Sequence, residues 1–260
     1  MIGIAPDERP AIAFSDVGLT IAGLTIIAGL DLGIRKGEIV SVIGPSGCGK
    51  TTALRLAAGL VKSTTGRVLI HGEPVTKPRR DIAIVFQDYG KALLPWRTAA
   101  GNVSLALEAA GVPRARRADR IAGLLARVGL AGQDAKYPSQ LSGGMQQRLQ
   151  IARCLAQDPG VLLMDEPFGA LDAMTRQALQ DETLAIVADT GATVFFVTHD
   201  LEEALYLGDR VIGLLPRPGR VGLACPVALP RPRDQLSTRE HPTFLHLRRV
   251  LFDFIRQAER

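Results

Sequence analysis

The chain has 260 residues, of which 47% are hydrophobic and 22% are charged, a balance typical of a globular protein with a large core. No apolar run approaches the roughly 18 residues of a membrane-spanning helix, and no secretory signal is recognisable. The three cysteines are widely spaced and odd in number, which argues against a disulfide framework or a zinc cluster and favours a reducing compartment. The net charge of +5 is expected to be scattered over the surface, and because the arginine clusters lack interleaved aromatic residues, nucleic acid is not expected as a partner.

Short apolar runs rich in Val and Ile recur along the chain without polar alternation, as is typical of strands buried on both faces of a parallel sheet. Helical stretches separate several of them, so the pattern predicts an α/β core with right-handed crossovers. The stretch 12–35 is instead expected to form β-rich hairpins. The predicted strands lie at 39–43, 82–86, 161–164, 193–197 and 211–215, and the predicted helices at 50–60, 145–157, 173–189 and 201–207.

Residues 88–157 favour helix and contain no convincing buried strand, so they predict an inserted helical subdomain. "ADRIAGLLARVGL" (118–130) is one predicted helix there. Residues 216–234 are rich in proline and predict a strand-turn segment, and an amphipathic helix should close the chain and pack on its own core. The predicted domains are a core of residues 1–87 and 158–218, the helical subdomain 88–157, and a C-terminal extension 219–260.

"GPSGCGKT" (44–51) follows an apolar run and opens a helix, which is the context of a phosphate-binding loop. Glycines at 44, 47 and 49 let backbone N–H groups turn inward around a phosphate. Lys50 would reach the β- and γ-phosphates, and the Thr51 hydroxyl would bind Mg²⁺. A glycine-rich turn that carries a lysine by chance is the alternative, at about one per cent or less. The predicted ATP-binding residues of this segment are Gly44, Pro45, Ser46, Gly47, Cys48, Gly49, Lys50, Thr51 and Thr52, with Cys48 at a free position of the motif.

"VLLMDEP" (161–167) places two acids after a buried strand. Asp165 can hold Mg²⁺ through its water shell, and Glu166 would act on the water that attacks the γ-phosphate. An acidic turn without function is the alternative for this motif alone.

"LSGGMQQR" (141–148) offers a second anion seat, in which Ser142, Gly143 and Gly144 precede a helix and leave their N–H groups open. Since the chain already has one phosphate loop, a second seat for the same phosphate suggests that two copies face each other.

The ordered set GPSGCGKTT, VFQD, LSGGMQQR, LLMDEP, GALD and VTHD resembles the ATP-binding subunit of an ABC transporter over about residues 12–258. The resemblance implies a P-loop NTPase core with an N-terminal antiparallel β region. It also implies that Gln87 touches Mg²⁺ and the attacking water and that His199 contacts the γ-phosphate. Asp172 would cross a homodimer interface, and Ser142, Gly143, Gly144 and Gln146 would close on the ATP of the opposite subunit.

The sequence departs from the family pattern in two places, of which the GAL segment at 169–171 carries little weight. The family usually stacks an aromatic residue on adenine about 23 residues before the phosphate loop, and this chain has Ile21 there. Base–aromatic stacking is worth about 1–3 kcal/mol on nucleic-acid platforms. We therefore expect weaker or less discriminating ATP binding than in relatives with tyrosine.

Residues 88–103, with LLPWRT, and the proline-rich stretch 215–234 resemble the nitrate/sulfonate/taurine importer branch. That implies two membrane permease subunits, a secreted solute-binding protein and a peripheral location on the cytoplasmic face of the membrane. The solute stays open among nitrate, sulfonates, taurine and pyrimidines, and a soluble ABC-type ATPase not coupled to transport is the alternative. Trp96 either anchors the subdomain core or helps to receive the coupling helix of the permease.

Overall fold

The computed structural model describes residues 9–169 and 171–260 and divides into two compact units. Unit 1 contains Met1–Arg79 and Gly191–Arg260, and unit 2 contains Arg80–Thr190. Residues 1–8 of the predicted first domain and Ala170 of the GALD motif lie outside the described residues. The predicted domain boundaries, including those of a subdomain at 88–157, stay predictions.

The regular elements alternate between strands and helices over most of the chain. In chain order they are β1 (Ile12–Ile21), β2 (Leu24–Ile34), β3 (Ile39–Ile43), α1 (Lys50–Ala57), β4 (Thr65–Ile70), β5 (Glu73–Pro74), β6 (Ile82–Val85), α2 (Tyr89–Ala92), α3 (Ala99–Ala109), α4 (Arg114–Arg127), α5 (Gly143–Leu155), β7 (Val161–Asp165), α6 (Ala173–Thr190), β8 (Thr193–Val197), α7 (Leu201–Leu207), β9 (Arg210–Leu215), β10 (Arg220–Pro226), α8 (Ser237–Glu240) and α9 (Pro242–Ala258).

Unit 1 contains a mixed sheet of strand order β10-β9-β3-β8 and an antiparallel sheet of order β2-β1-β4-β5. β3 pairs parallel with both β8 and β9, and β3 and β8 are buried along their whole length. These predominantly apolar runs therefore form parallel strands that are covered on both faces, as predicted. Because β3 and β8 run in the same direction, the loops that follow them begin at the same edge of the sheet.

Unit 2 contains the parallel pair β6 and β7, separated in sequence by helices α2–α5. β6 ends at Val85, one residue before the predicted end, and helix α5 begins at Gly143, two residues before the predicted start. The α5 start follows from Ser142, whose hydroxyl accepts from the Met145 N–H at 3.3 Å and so caps the helix. Helix α4 likewise begins earlier than predicted, directly after Pro113.

Helix α9 packs on its own unit, as expected from its amphipathic pattern. Phe244 and Leu251 are fully buried. The ring of Phe254 lies on Gly213 of β9, where a Cβ would come within 2.4 Å of it. Among the described residues, no helix is both long and apolar enough to cross a membrane.

Arg233 ties the proline-rich segment to the end of helix α7. Its Nη1 donates to the carbonyl oxygens of Leu205, at 2.8 Å, and Tyr206, and its Nη2 donates to that of Gly208 at 2.8 Å. These carbonyls have no partner inside the helix, so the guanidinium satisfies them. Burial lowers the pKa of Arg233 to about 10, which still leaves it charged at neutral pH.

The Arg233→Met substitution is expected to lower the free energy of unfolding by about 3 kcal/mol, because it leaves buried carbonyls without donors. Denaturant unfolding followed by circular dichroism measures this. Arg256→Met removes the same charge from an exposed position on α9 and should leave the midpoint unchanged. Equal midpoints for the two variants would contradict the anchoring role.

Candidate functional site

The loop between β3 and α1 in unit 1 has the backbone of an anion seat. Gly49, which precedes the helix, has φ of 96°, a conformation that L residues rarely adopt. At Gly44 a Cβ would lie 2.6 Å from the Cys48 sulfur and 2.7 Å from the Leu214 carbonyl oxygen, so only glycine fits there. Space around Gly47 is open to 4 Å. Gly44 thus packs closely against Cys48 and Leu214, whereas the backbone at Gly47 is open to a ligand.

Lys50 opens helix α1 and is only 9% exposed. Its Nζ donates to the carbonyl oxygens of Gly44 at 2.7 Å and Pro45 at 3.1 Å. In the described part of unit 1, no carboxylate forms a salt bridge with it. Within the described part of unit 1, the buried Lys50 ammonium meets two carbonyl dipoles and no carboxylate, which favours an anionic ligand such as the phosphates of a nucleotide.

Cys48 lies on the inner side of the loop. Its side chain is fully buried, and burial raises the pKa of its thiol more than the nearby Lys50 lowers it. The Cys48 N–H donates to the Pro45 carbonyl oxygen at 3.3 Å. The thiol therefore does not face the open side of the loop, and only the backbone of this residue can serve a phosphate.

His199 lies at the same sheet edge as the phosphate loop. Val197 of β8 pairs with Val42 of β3, and the Thr198 N–H donates to the Val42 carbonyl oxygen at 3.2 Å. Gly44 and His199 each stand two residues beyond this pair. His199 is exposed, so its imidazole can meet a ligand.

In unit 2, Gln87 and Glu166 follow the paired strands β6 and β7 and are joined by a hydrogen bond. The Gln87 Nε2 donates to the Glu166 Oε2 at 3.0 Å. Glu166 has φ of 45°, a strained value for a residue with a side chain. The structure thus brings two of the three predicted catalytic residues together, with Asp165 directly before Glu166 in the chain.

The LSGG segment differs in detail from its prediction. Ser142 is the N-cap, and Gly143 and Gly144 form the first turn of α5 rather than preceding it. A Cβ at Gly144 would lie 2.5 Å from the Thr175 methyl group, so this turn packs closely on helix α6. The Gln146 amide nitrogen donates to the Pro138 carbonyl oxygen at 3.0 Å and so holds the chain that enters the helix.

Asp172 caps helix α6, because its Oδ1 accepts from the Thr175 N–H at 3.0 Å. The hydrogen bonds from the Thr175 backbone and hydroxyl lower the pKa of this exposed carboxyl. Ile21, the predicted adenine contact, is exposed near the hairpin that joins β1 and β2.

Sequence reasoning missed a set of side chains on α5 that hold the segment around Gln87. In the amide orientation that satisfies both partners, Gln150 donates to the Phe86 carbonyl oxygen at 3.2 Å and accepts from its N–H at 2.8 Å. Arg153 donates to the Ala92 carbonyl oxygen at 2.7 Å, and Cys154 to that of Ile84 at 3.3 Å. Their spacing of three and four residues, which places them on one helix face, was the available signal.

Asn102 was missed as well. It is fully buried, and its Nδ2 donates to the carbonyl oxygens of Leu94, Arg97 and Thr98 while its Oδ1 accepts from the Leu94 N–H at 2.9 Å. The LLPWRT loop is therefore held by one amide and by the buried Leu93. Trp96 is 72% exposed, so the interpretation of Trp96 as a core anchor is wrong.

Comparison with known proteins gives a family for this arrangement. The family model described as ABC transporter matches residues 27–169, more than half of the chain. The chain belongs to the ABC transporter family. The family resemblance inferred from the ordered motifs is therefore confirmed.

Relatives within the ABC transporter family match nearly the whole chain. An uncharacterized ABC transporter ATP-binding protein of Methanocaldococcus jannaschii is 48% identical over 227 residues, covering 87% of this chain and 83% of the relative. The nitrate import ATP-binding protein NrtC of Synechococcus elongatus is 45% identical over 234 residues, 89% of this chain and 35% of the relative. The bicarbonate transport ATP-binding protein CmpC of that species is 43% identical over 237 residues, with 90% and 35% covered. The chain thus spans about a third of the length of these two transport proteins.

Solved structures agree. A dimeric, post-hydrolysis ATP-binding cassette bound to ADP and Pi aligns with a TM-score of 0.72 at 33% identity, covering 83% of this chain and 98% of that chain. The predicted α/β fold of an ABC-type ATPase with an N-terminal antiparallel sheet is confirmed. This ABC transporter ATP-binding subunit is an ATP hydrolase.

Proposed function

We propose that the chain hydrolyses ATP to drive an importer for a small anion or organic solute through a separate membrane permease. The observation that carries this proposal is the 43–45% identity to a nitrate import and a bicarbonate transport ATP-binding protein over about nine-tenths of the chain. The solute itself would contact the permease and a secreted binding protein rather than this chain.

In this proposal the phosphate loop binds the triphosphate of ATP. Backbone N–H groups of residues 44–52 surround the phosphates, Lys50 pairs with the β- and γ-phosphates, and His199 contacts the γ-phosphate. The buried ammonium of Lys50, with two carbonyl partners and no carboxylate in the described part of unit 1, supports this role.

Glu166 would accept the proton of the attacking water. The water oxygen forms the new bond to the γ-phosphorus, the bond to the β,γ-bridging oxygen breaks, and ADP leaves with its new charge facing Lys50. The hydrogen bond from Gln87 fixes the Glu166 carboxylate, which supports a positioning role for Gln87.

We propose Mg²⁺ as the cation that is bound together with ATP. The proposed ligands are the Thr51 hydroxyl, the Gln87 amide and the Asp165 carboxylate, and oxygen is the donor that Mg²⁺ prefers. Because the Gln87 nitrogen donates to Glu166, its amide oxygen is the atom left for a cation. Bound Mg²⁺ would neutralise phosphate charge.

A second copy would complete the site. Ser142, Gly143, Gly144 and Gln146 of one copy would close on the ATP held by the phosphate loop of the other, with Asp172 near the contact. Two observations support this proposal: the exposed Ser142 at the start of α5, and the dimeric state of the solved cassette that holds ADP and Pi. Hydrolysis followed by loss of the cleaved phosphate would remove the group shared by the two copies and let the dimer open.

Purification of the tagged chain from detergent-solubilised membranes of its source cells tests the coupling to transport. We expect a multi-span membrane protein to co-purify with the chain, since we propose that the chain binds the permease at the cytoplasmic face of the membrane. A chain found only in the soluble fraction, without such a partner, would favour the alternative of an ABC-type ATPase that is not coupled to transport.

Trp96→Ala is expected to reduce recovery of the membrane partner at least tenfold, because an exposed tryptophan commonly contributes more than 1.4 kcal/mol to a contact. ATP hydrolysis and melting temperature should stay at wild-type values, since the side chain is 72% exposed. Leu236→Ala, which truncates an equally exposed side chain in unit 1, is the control. Undiminished recovery with Trp96→Ala would contradict the docking role.

A further inference from the structure

A cavity of about 460 Å³ opens beside the phosphate loop in unit 1. It is lined by Leu24, Thr25, Ile26, Gly47, Arg217 and Pro218. Its volume lies in the range of small-molecule sites. Because Gly47 belongs to the phosphate loop, a nucleotide whose phosphates bind that loop can extend its nucleoside into this cavity.

The part of the cavity that β2 lines exposes aliphatic side chains but no aromatic side chain. Ile21 and Leu24 pair across the β1–β2 hairpin and are 53% and 66% exposed. No lining residue is aromatic. A base that enters the cavity therefore meets apolar contacts on this side but no stacking partner.

The turn between β9 and β10 supplies the remaining side chains of the cavity, Arg217 and Pro218, and its last residue is fixed by hydrogen bonds. The Gly219 N–H donates to the Ile26 carbonyl oxygen at 2.8 Å, and the Ala28 N–H donates to the Gly219 carbonyl oxygen at 3.1 Å. A Cβ at Gly219 would lie 2.4 Å from the Cys48 carbonyl oxygen. The turn is thus held against both β2 and the phosphate loop.

Arg217 stands at the tip of this pinned turn. Its φ of 55° is rare for a residue with a side chain, and such conformations concentrate at ligand sites. Its side chain is exposed, and the described residues give its guanidinium no hydrogen bond or ion pair. A planar cation therefore lines the cavity without a partner among the residues that the structure describes.

We propose that Arg217 is the residue against which the base of the bound nucleotide stacks, in place of the aromatic residue absent at Ile21. A guanidinium is flat and weakly hydrated, and it stacks on base faces. The inference rests on the proposed function, because it takes the phosphate loop as the nucleotide site. Since every base has a π face, Arg217 supports ATP and GTP alike.

Calorimetric titration of the full chain with ATP, GTP and inorganic tripolyphosphate tests this assignment. Arg217→Ala should raise the Kd for ATP and GTP by the same factor, about fivefold to a hundredfold, and leave the Kd for tripolyphosphate unchanged. Arg217→Lys keeps the positive charge but lacks the planar guanidinium, so it should bind ATP as weakly as Arg217→Ala. Arg256→Ala is the charge-matched control and should bind all three ligands normally.

Unchanged ATP affinity in Arg217→Ala would overturn the proposal. So would full recovery in Arg217→Lys, or an equal loss for tripolyphosphate, because either result would mean attraction of the arginine charge to phosphate. Wild-type protein that binds neither ATP nor tripolyphosphate would instead contradict the proposed phosphate loop.

Discussion

Glu166→Gln is expected to reduce the rate of ATP hydrolysis at least about a hundredfold, because general-base catalysis typically contributes 10²–10⁴-fold. The glutamine keeps an oxygen that can accept from Gln87, so the hydrogen bond at 3.0 Å survives while the proton acceptor is lost. Steady-state release of phosphate measures the effect. Asp119→Asn neutralises an exposed carboxylate on α4 and serves as the control. Rapid hydrolysis by Glu166→Gln would contradict the role of Glu166.

The Glu166→Gln variant also tests whether ATP holds two copies of the chain together as a dimer. With hydrolysis stalled, ATP should remain bound between two copies, and light scattering should register twice the monomer mass in the presence of ATP and not of ADP. A mass that stays monomeric with saturating ATP would contradict the shared nucleotide site formed by the phosphate loop and Ser142.

Lys50→Met is expected to weaken ATP binding about tenfold to a hundredfold. The variant loses charged hydrogen bonds to phosphate, each worth about 1.5–3 kcal/mol, and tenfold in Kd corresponds to 1.4 kcal/mol. Calorimetric titration measures the affinity, and a melting curve checks that the loop tolerates the loss of the bonds from Lys50 to Gly44 and Pro45.

Lys62→Met is the matched control for this prediction. Lys62 is an exposed lysine of unit 1 that lies outside the phosphate loop, so its replacement should leave the ATP affinity at the wild-type value. Wild-type affinity in Lys50→Met, with a normal melting curve, would show that the buried ammonium does not hold the triphosphate.

The parts of the fold that follow from local pattern were predictable. β3 and β8 are predominantly apolar, and they occupy the positions that the pattern predicts. β4 was not anticipated, because its first three residues are exposed and Gly66 interrupts the strand with φ of 65°. Helix α5 begins earlier than predicted because its start depends on capping by the Ser142 hydroxyl, which apolar periodicity does not reveal.

The parts of the site that depend on contacts between distant segments were not predictable. Gln150 and Phe86 are far apart in sequence, and nothing in either segment alone indicates that an amide on one holds the backbone of the other. The exposure of Trp96 could not be decided either, since a tryptophan in a proline-flanked loop has the same sequence whether it faces the core or solvent.

Helix α5 has a mechanical consequence for unit 2. Ser142 caps its N-terminus, while Gln150 and Arg153 further along bind it to the backbone of Phe86 and Ala92. A tilt imposed on the N-terminal end of this helix would therefore move residues 86–96, because these side chains bind the backbone at Phe86 and Ala92. This segment contains both Gln87 and Trp96. Nucleotide binding near Ser142 and displacement of residues 86–96 would then be coupled in one rigid-body movement of the helix.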